Sequence, residues 1–153
     1  MKIKIFRFKK VKSTNNTAIR IIKNSNFNSG MVISETQDRG RGQYGKTWIS
    51  FKGNLFVSFF YKLENLTITQ KQLTKINCLL VKKLLSFYCR KKIVFKKPND
   101  LFIEKKKICG ILHETLNKLE IKYLVAGIGI NLIKNPTIKD YPTTNLYNLM
   151  NKK

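Results

Sequence analysis

The sequence predicts an α+β domain built on a largely antiparallel sheet. Three observations carry that class. Strand-like runs outnumber helical patterns along the 153 residues. The last three such runs, 101–104, 108–116 and 120–131, are separated by only a few residues, as in a meander. Only two stretches, 16–23 and 69–90, carry apolar residues at helical spacing.

Each element has its own justification. Residues 2–8 alternate, with Ile3 and Ile5 on one side and Phe6 and Phe8 on the other, and read as a strand. Ser13, Thr14 and Asn15 are three candidate N-caps for a short helix over 16–23, whose apolar positions are Ala18, Ile19 and Ile22. Residues 24–30 are loop by composition, and 31–36 form a strand. Residues 54–63 are rich in aromatic and β-branched side chains and form another. Thr67 or Thr69 caps the long helix over 69–90. Its stripe of Leu73, Ile76, Leu80, Leu84 and Phe87 is expected to face the core. Residues 92–96 are a strand, and Pro98-Asn99-Asp100 is a turn. Asn117-Lys118 marks a hairpin turn. Pro136 and Pro142 punctuate a polar tail.

Composition narrows the function classes. Lys and Arg total 31 against 8 Asp and Glu, a net charge of +23, which attracts anions of every kind. Only five of these cations are Arg, and the lysines are spread along the whole chain, which favours a solvated Lys-rich surface over a dedicated nucleic-acid face. Cys78, Cys89 and Cys109 form no CxxC pair and sit in apolar contexts, so they read as reduced, buried thiols. One His and three scattered Cys make a poor metal-ligand set. The N-terminus alternates charge and apolarity, unlike a signal peptide, and no run approaches the ~18 apolar residues of a membrane span. A soluble, cytoplasmic protein with no membrane partner is expected.

Three clusters carry chemistry. The first is Glu35 to Trp48, where Gly40, Gly42 and Gly45 interleave with Arg39, Arg41 and Lys46 between two strands. Glycines let backbone N–H groups approach an anion, cations match its oxygens, and Trp48 offers a flat face for a ring. This reads as a lid over a small anionic ligand, or as a solvated basic loop. The second is Lys97-Pro-Asn-Asp100 followed by Lys107-Ile-Cys-Gly110. A Lys entering a core needs an anionic partner, which a bound carboxylate or phosphate would supply. A solvated Lys run at a hairpin is the alternative. The third is Gly127-Ile-Gly-Ile-Asn131, whose glycines thin one face of a strand for a ligand or simply for packing. His113, alternating with Cys109 and Ile111, reads as packed rather than catalytic, and Glu114 as either structural or a metal-side carboxylate.

Taken in order over residues 10–146, these clusters resemble the catalytic domain of biotin protein ligases. The matching motifs are Ser13-Thr-Asn15, Glu35-Thr-Gln37 leading to Gly40-Arg-Gly with Gly45 and Trp48, Gly53-Asn-Leu, Lys97-Pro-Asn-Asp100, Lys107-Ile-Cys-Gly-Ile-Leu with Glu114, Gly127-Ile-Gly-Ile-Asn131 and Thr143-Thr-Asn-Leu146. The resemblance implies the mixed, largely antiparallel sheet with helices on one face of the class II synthetase-like biotin/lipoate ligase fold. It implies a two-step reaction: biotin and ATP, with Mg²⁺, give biotinyl-5′-AMP, and a lysine of the biotin carboxyl carrier protein then takes the biotinyl group. It assigns Lys107 and Arg41 as catalytic cations at the biotin carboxylate and α-phosphate. Ser13, Thr14, Asn15, Gln37 and Gly40 join them around biotin. Trp48, Asn99, Asp100 and Asn131 fall to the nucleotide, and no metal ligand is certain.

The chain departs from the family pattern at Gln43, where an Arg is usual, while Lys46 holds the last basic position of the lid. It is expected to be a single catalytic domain over 1–153, with neither an N-terminal helix-turn-helix nor the C-terminal small β-barrel. Specific DNA binding is therefore not expected, and a homodimer is compatible with the resemblance. Two rivals remain: a lipoate or octanoate transferase of the same superfamily, and a basic nucleic-acid-binding module.

Overall fold

The computed structural model describes residues 3–63 and 68–150. In chain order the elements are β1 (Lys4–Val11), α1 (Thr14–Asn24), β2 (Ser29–Gln37), β3 (Gly40–Arg41), a 3-10 turn (Gln43–Gly45), β4 (Thr47–Trp48), β5 (Leu55–Lys62), α2 (Gln70–Ser86), β6 (Ile93–Lys96), β7 (Asp100–Ile103), β8 (Lys106–Lys118), β9 (Ile121–Ile130) and α3 (Leu146–Met150). Seven strands form one sheet in the order β1-β2-β5-β9-β8-β7-β6, and β3 pairs with β4 in a separate two-stranded flap. β1 and β2 run parallel, joined through α1, and every other pair in the large sheet is antiparallel. This is the mixed, largely antiparallel α+β sheet expected from the sequence.

The helices, expected on one face, divide between two. α1 buries Ala18 and Ile22 against Val32, Phe60, Tyr123 and Val125. α2 buries Cys78, Val81 and Leu85 against Ile103, Cys109, Ile111 and Ile130, together with Leu146 and Leu149 of α3. In β9, Tyr123 and Val125 have the opposite parity to Ile130, so the two helices lie on opposite sides. The physical reason is legible in β9 itself: Tyr123 to Gly127 are all buried, and a central strand apolar on both faces needs cover on both.

Caps begin both long helices. The Ser13 hydroxyl accepts from the Asn16 N–H, so α1 starts two residues before the expected span. Thr69 and Gln72 form a capping box on α2; Thr67, the alternative cap, lies outside the described residues, as does Lys2.

The rotation of α2 overturns one expectation. The stripe Leu73–Ile76–Leu80–Leu84–Phe87 does not face the core: Leu80, Leu84 and Phe87 are 59%, 51% and 76% exposed. The buried stripe is Thr74–Cys78–Val81–Leu85, displaced around the helix. Polar contacts set that rotation. Thr74 Oγ1 lies 3.1 Å from His113 Nδ1, Asn77 Nδ2 lies 2.8 Å from His113 Nε2, and the Gln70 amide donates to the His113 carbonyl.

The last hairpin is also shifted. Asn117 and Lys118 pair with Lys122 and Ile121, so the turn is Leu119-Glu120, with Leu119 at φ 54°. The polar tail is not a loose appendage. The Lys107 N–H donates to the Pro142 carbonyl and the Thr144 N–H to the Lys107 carbonyl, both at 2.9 Å, so residues 142–144 form a strap along the start of β8. Among the described residues, no helix is long and apolar enough to cross a membrane.

Candidate active site

A cavity of about 250 Å³ opens where the N-terminus of α1, the flap, the β6–β7 turn and the middles of β8 and β9 converge. Its lining includes Ser13, Thr14, Asn15, Gln37, Arg41, Trp48, Asn99, Asp100 and Lys107. The three clusters of the sequence therefore meet at one hollow. Gly40 and Asn131 do not line it. Gly40 pairs with Trp48 in the flap, where a Cβ would lie 2.3 Å from the Trp48 carbonyl oxygen. Asn131 is buried beyond the end of β9 and donates its amide to the Thr144 carbonyl. It anchors the strap instead of reaching the hollow.

Backbone geometry places Trp48. Gly110 and Gly129 face each other across β8 and β9. A Cβ on Gly129 would fall 2.5 Å from Trp48 Cε2, and one on Gly110 would fall 2.8 Å from Trp48 Cζ3. The indole thus lies directly on the two glycines, a seat that no side chain there would leave open. Two residues along, a Cβ on Gly127 would lie 2.2 Å from Asn15 Oδ1, so this glycine admits the start of α1. The glycines of the third cluster serve close approach.

One end of the cavity is a network of neutral polar groups. The Thr14 N–H and hydroxyl both donate to Gln37 Oε1, at 2.8 and 3.2 Å, and the Gln37 amide donates to Ser50 Oγ. The buried Ser58 hydroxyl lies 2.8 Å from Thr14 Oγ1 and 2.5 Å from Asn15 Oδ1. Such fixed donors and acceptors suit a neutral polar ring.

Charged groups complete the lining, Lys107 at the start of β8 and Arg41 beside the Asn15 end. Lys107 Nζ lies 2.9 Å from Asp100 Oδ2, 5.5 Å from the Trp48 ring centroid and 5.1 Å from that of Tyr141. Its side chain is only 13% exposed. Arg41, on the flap, pairs through Nη2 with Glu114 Oε2, which also accepts from Asn15 Nδ2 at 2.8 Å. Asp100 Oδ1, Trp48 Nε1 and Gln43 Oε1 are buried with no protein partner. Buried polar atoms left unpaired at a cavity are groups a ligand can satisfy. Asn99 is already committed: its amide donates to the Ile111 carbonyl, and its own carbonyl accepts from the Ile111 N–H.

Covalent catalysis through the other candidates is disfavoured. All three cysteines are buried and free. Burial pushes the Cys78 thiol up to about 12 and the Cys109 thiol well above its ordinary range, so neither offers a thiolate at neutral pH. His113 sits on the α2 side of the sheet, away from the cavity, and desolvation lowers it to about 4.

Residues 7–131 match the Biotin/lipoate A/B protein ligase family. The chain belongs to that family. Over 102 residues it is 34% identical to the bifunctional ligase/repressor BirA of Escherichia coli, a match covering 65% of this chain and 32% of that protein. Over 127 residues it is 27% identical to the biotin–[acetyl-CoA-carboxylase] ligase of Paracoccus denitrificans, covering 81% of this chain and 52% of that one. The chain thus spans about a third to a half of the length of these relatives. Among solved structures, the biotin protein ligase of Aquifex aeolicus in complex with biotin and ATP superposes with a TM-score of 0.81 at 28% identity, over 97% of this chain and 62% of that one. The biotin protein ligase of Leishmania major in complex with biotinyl-5-AMP has the same fold, with a TM-score of 0.82 at 24% identity, over 98% and 66%.

Within this biotin/lipoate ligase family member, Tyr141, Ser50 and Ser58 join the site from outside the sequence motifs, and Glu114 joins it in a role its motif does not specify. Alternation along β8 puts Glu114 on the face opposite His113, where it meets Arg41 and Asn15. Tyr141 lay in what read as tail. Ser50 and Ser58 carried no motif, and Ser58 is recognisable only as a hydroxyl in an otherwise apolar and aromatic strand.

Proposed function

We propose that this chain activates biotin with ATP to biotinyl-5′-AMP and passes the biotinyl group to a lysine of a biotin carboxyl carrier protein. The observation that carries the reading is the meeting of Lys107 and Arg41 with Trp48 and the Ser13–Thr14–Asn15–Gln37 network around one hollow. In the first step a biotin carboxylate oxygen attacks the α-phosphorus and pyrophosphate leaves. Two anions must approach, and cations fixed in advance stabilise the charge that gathers between them. Lys107 is placed to touch both, since Asp100 takes only one of its three N–H donors. Trp48 supplies a stacking face for adenine, worth about 1–3 kcal/mol by analogy with other base–aromatic contacts. The neutral network faces the ureido ring.

The unpartnered Asp100 Oδ1 fits a hydrated Mg²⁺, which takes one or two carboxylate oxygens and otherwise waters and phosphate oxygens. When bound there, the ion screens the phosphate charge. In the second step the carrier amine attacks the acyl carbon and AMP leaves. Placing that amine beside an activated acyl group supplies much of the acceleration. The flap, closing over the adenylate, excludes water. Three buried free thiols fit a reducing compartment, and we place the reaction in the cytoplasm.

The polar network favours biotin over lipoate or octanoate, whose chains suit an apolar tunnel. A nucleic-acid module leaves the enclosed Lys107–Asp100 pair without a purpose. The test is exchange of labelled pyrophosphate into ATP by the full chain, dependent on biotin, with lipoate and octanoate as controls. Exchange with biotin alone is the expected result. Exchange driven by lipoate or octanoate moves the chain to the transferases. No exchange, together with nucleic-acid affinity falling steeply with salt, moves it to the binding modules.

A further inference from the structure

We infer that Tyr141 is a positioning residue for Lys107, carried by the strap that also fixes the Lys107 backbone. The inference rests on the adenylating role given to Lys107 above. The strap's two backbone hydrogen bonds take both the N–H and the carbonyl of Lys107. Tyr141 immediately precedes the strap, and Pro142 holds it to an extended backbone. The strap is itself locked. The Asn135 amide donates to Thr143 Oγ1 and the Thr143 carbonyl, the Thr143 hydroxyl donates to the Pro136 carbonyl, and the Asn145 amide donates to Asn135 Oδ1. The segment that sets where Lys107 starts thus also sets the ring against which its tip rests.

The chemistry of that contact matters. Lys107 has Asp100 at 2.9 Å, Trp48 at 5.5 Å and Tyr141 at 5.1 Å. An aromatic face attracts an ammonium electrostatically, without demanding a directed hydrogen bond. A second carboxylate in place of the ring would take another N–H and neutralise the charge. Tyr141 instead steadies the cation while leaving two donors for the carboxylate and phosphate oxygens that must meet there. Should adenine take the exposed face of Trp48, Tyr141 remains the ring that holds the ammonium.

The test keeps the shape of the ring and changes only its electron density. Tyr141 is replaced in the full chain by phenylalanine, then by phenylalanines bearing one, two and three ring fluorines. Biotin-dependent pyrophosphate exchange is measured at saturating substrates, with the thermal midpoint as a folding control. Phenylalanine keeps the ring without the hydroxyl and is the reference point of the series. The rate should then fall stepwise with fluorination, by roughly tenfold at three fluorines, with the midpoint constant. A flat series in an active enzyme overturns the inference, because a residue that merely packs would tolerate every ring alike. A second readout needs no turnover. The Lys107 ε-methylene proton resonances, displaced by ring currents, should move downfield in Tyr141→Leu. Unmoved resonances also overturn the inference. Absence of exchange in the wild type counts against the activity, whereas a flat series in an active wild type counts against Tyr141 alone.

Discussion

Arg41 and Glu114, 73 positions apart in the chain, are joined by an ion pair that ties the flap to β8. Glu114 Oε2 also receives the Asn15 amide, so one carboxylate ties the flap to the start of α1. Both partners are partly exposed, so the pair contributes under about 1 kcal/mol to stability. Its weight lies in where it holds Arg41. Glu114→Ala should leave the thermal midpoint within a few degrees of wild type and raise the KM for biotin by about tenfold, the equivalent of roughly 1.4 kcal/mol. Titration of biotin in the exchange assay checks this, and an unchanged KM removes the tether from the account.

Lys107 is the more severe test. Lys107→Ala should cut adenylation at least a hundredfold, because removing one preorganised group from developing transition-state charge costs about 2.7–4 kcal/mol of barrier. The fold should survive, since Asp100 keeps some solvent access with 22% of its side chain exposed. Single-turnover formation of the adenylate, alongside far-UV circular dichroism, separates the two effects. A variant that adenylates at a near-normal rate would take Lys107 out of the chemistry.

Gln43 lines the cavity with a buried Oε1 that has no partner. An Arg at this place would add a charged fork toward the phosphate side. Gln43→Arg should therefore slow release of biotinyl-5′-AMP severalfold. Stopped-flow displacement by excess biotin measures the off-rate. Equal off-rates would mean that the departure from the family's lid pattern has no consequence for retention.

His113 gives the fold a pH dependence unrelated to the site. Thr74 already donates its hydroxyl to the Gln70 carbonyl, so it accepts from Nδ1–H, and the Asn77 amide donates to Nε2. That pattern fits only the neutral ring. Desolvation holds the folded-state value near 4, below the ordinary 6.5. The unfolded chain therefore takes up the proton first. The contribution is fully present above about pH 6.5 and is lost as pH falls toward 4, at up to about 1.4 kcal/mol per pH unit and roughly 3 kcal/mol in all. Urea unfolding at pH 7.5, 6, 5 and 4.5 should show this slope in wild type and a shallower one in His113→Gln. Parallel slopes would contradict it.

The candidate site was largely legible because its signals are local. Three glycines near Trp48, Lys-Pro-Asn-Asp and the Gly127–Gly129 pair each depend on residues within a few positions. The rest depends on partners far apart in the chain. Glu114 acquires its role from Arg41 and Asn15, 73 and 99 positions away. Tyr141 acquires its role from Lys107 through a strap that no periodicity announces. Asn131 ends a recognisable motif, yet its amide turns to Thr144. The division of helices between two faces follows from β9, where Tyr123 to Gly127 are buried on both faces, a property that shows only once the neighbouring strands are in place.

The same limit explains α2. Two apolar stripes run along it, and the richer in leucine points outward, because contacts from Gln70, Thr74 and Asn77 to His113 fix the rotation. Leu84 and Leu85 are neighbours in sequence, yet 51% and 3% exposed. Leu85 packs in the core with Cys78, Val81 and Ile93. Leu85→Ala should cost about 2–5 kcal/mol, the lost transfer energy plus an unfilled cavity. Leu84→Ala should stay within roughly 0.5 kcal/mol of wild type, as an exposed truncation away from special features does. Chemical unfolding of the two variants side by side decides between the stripes. The opposite ranking would return Leu73, Ile76, Leu80, Leu84 and Phe87 to the core, and α2 would then sit on the sheet in a different rotation.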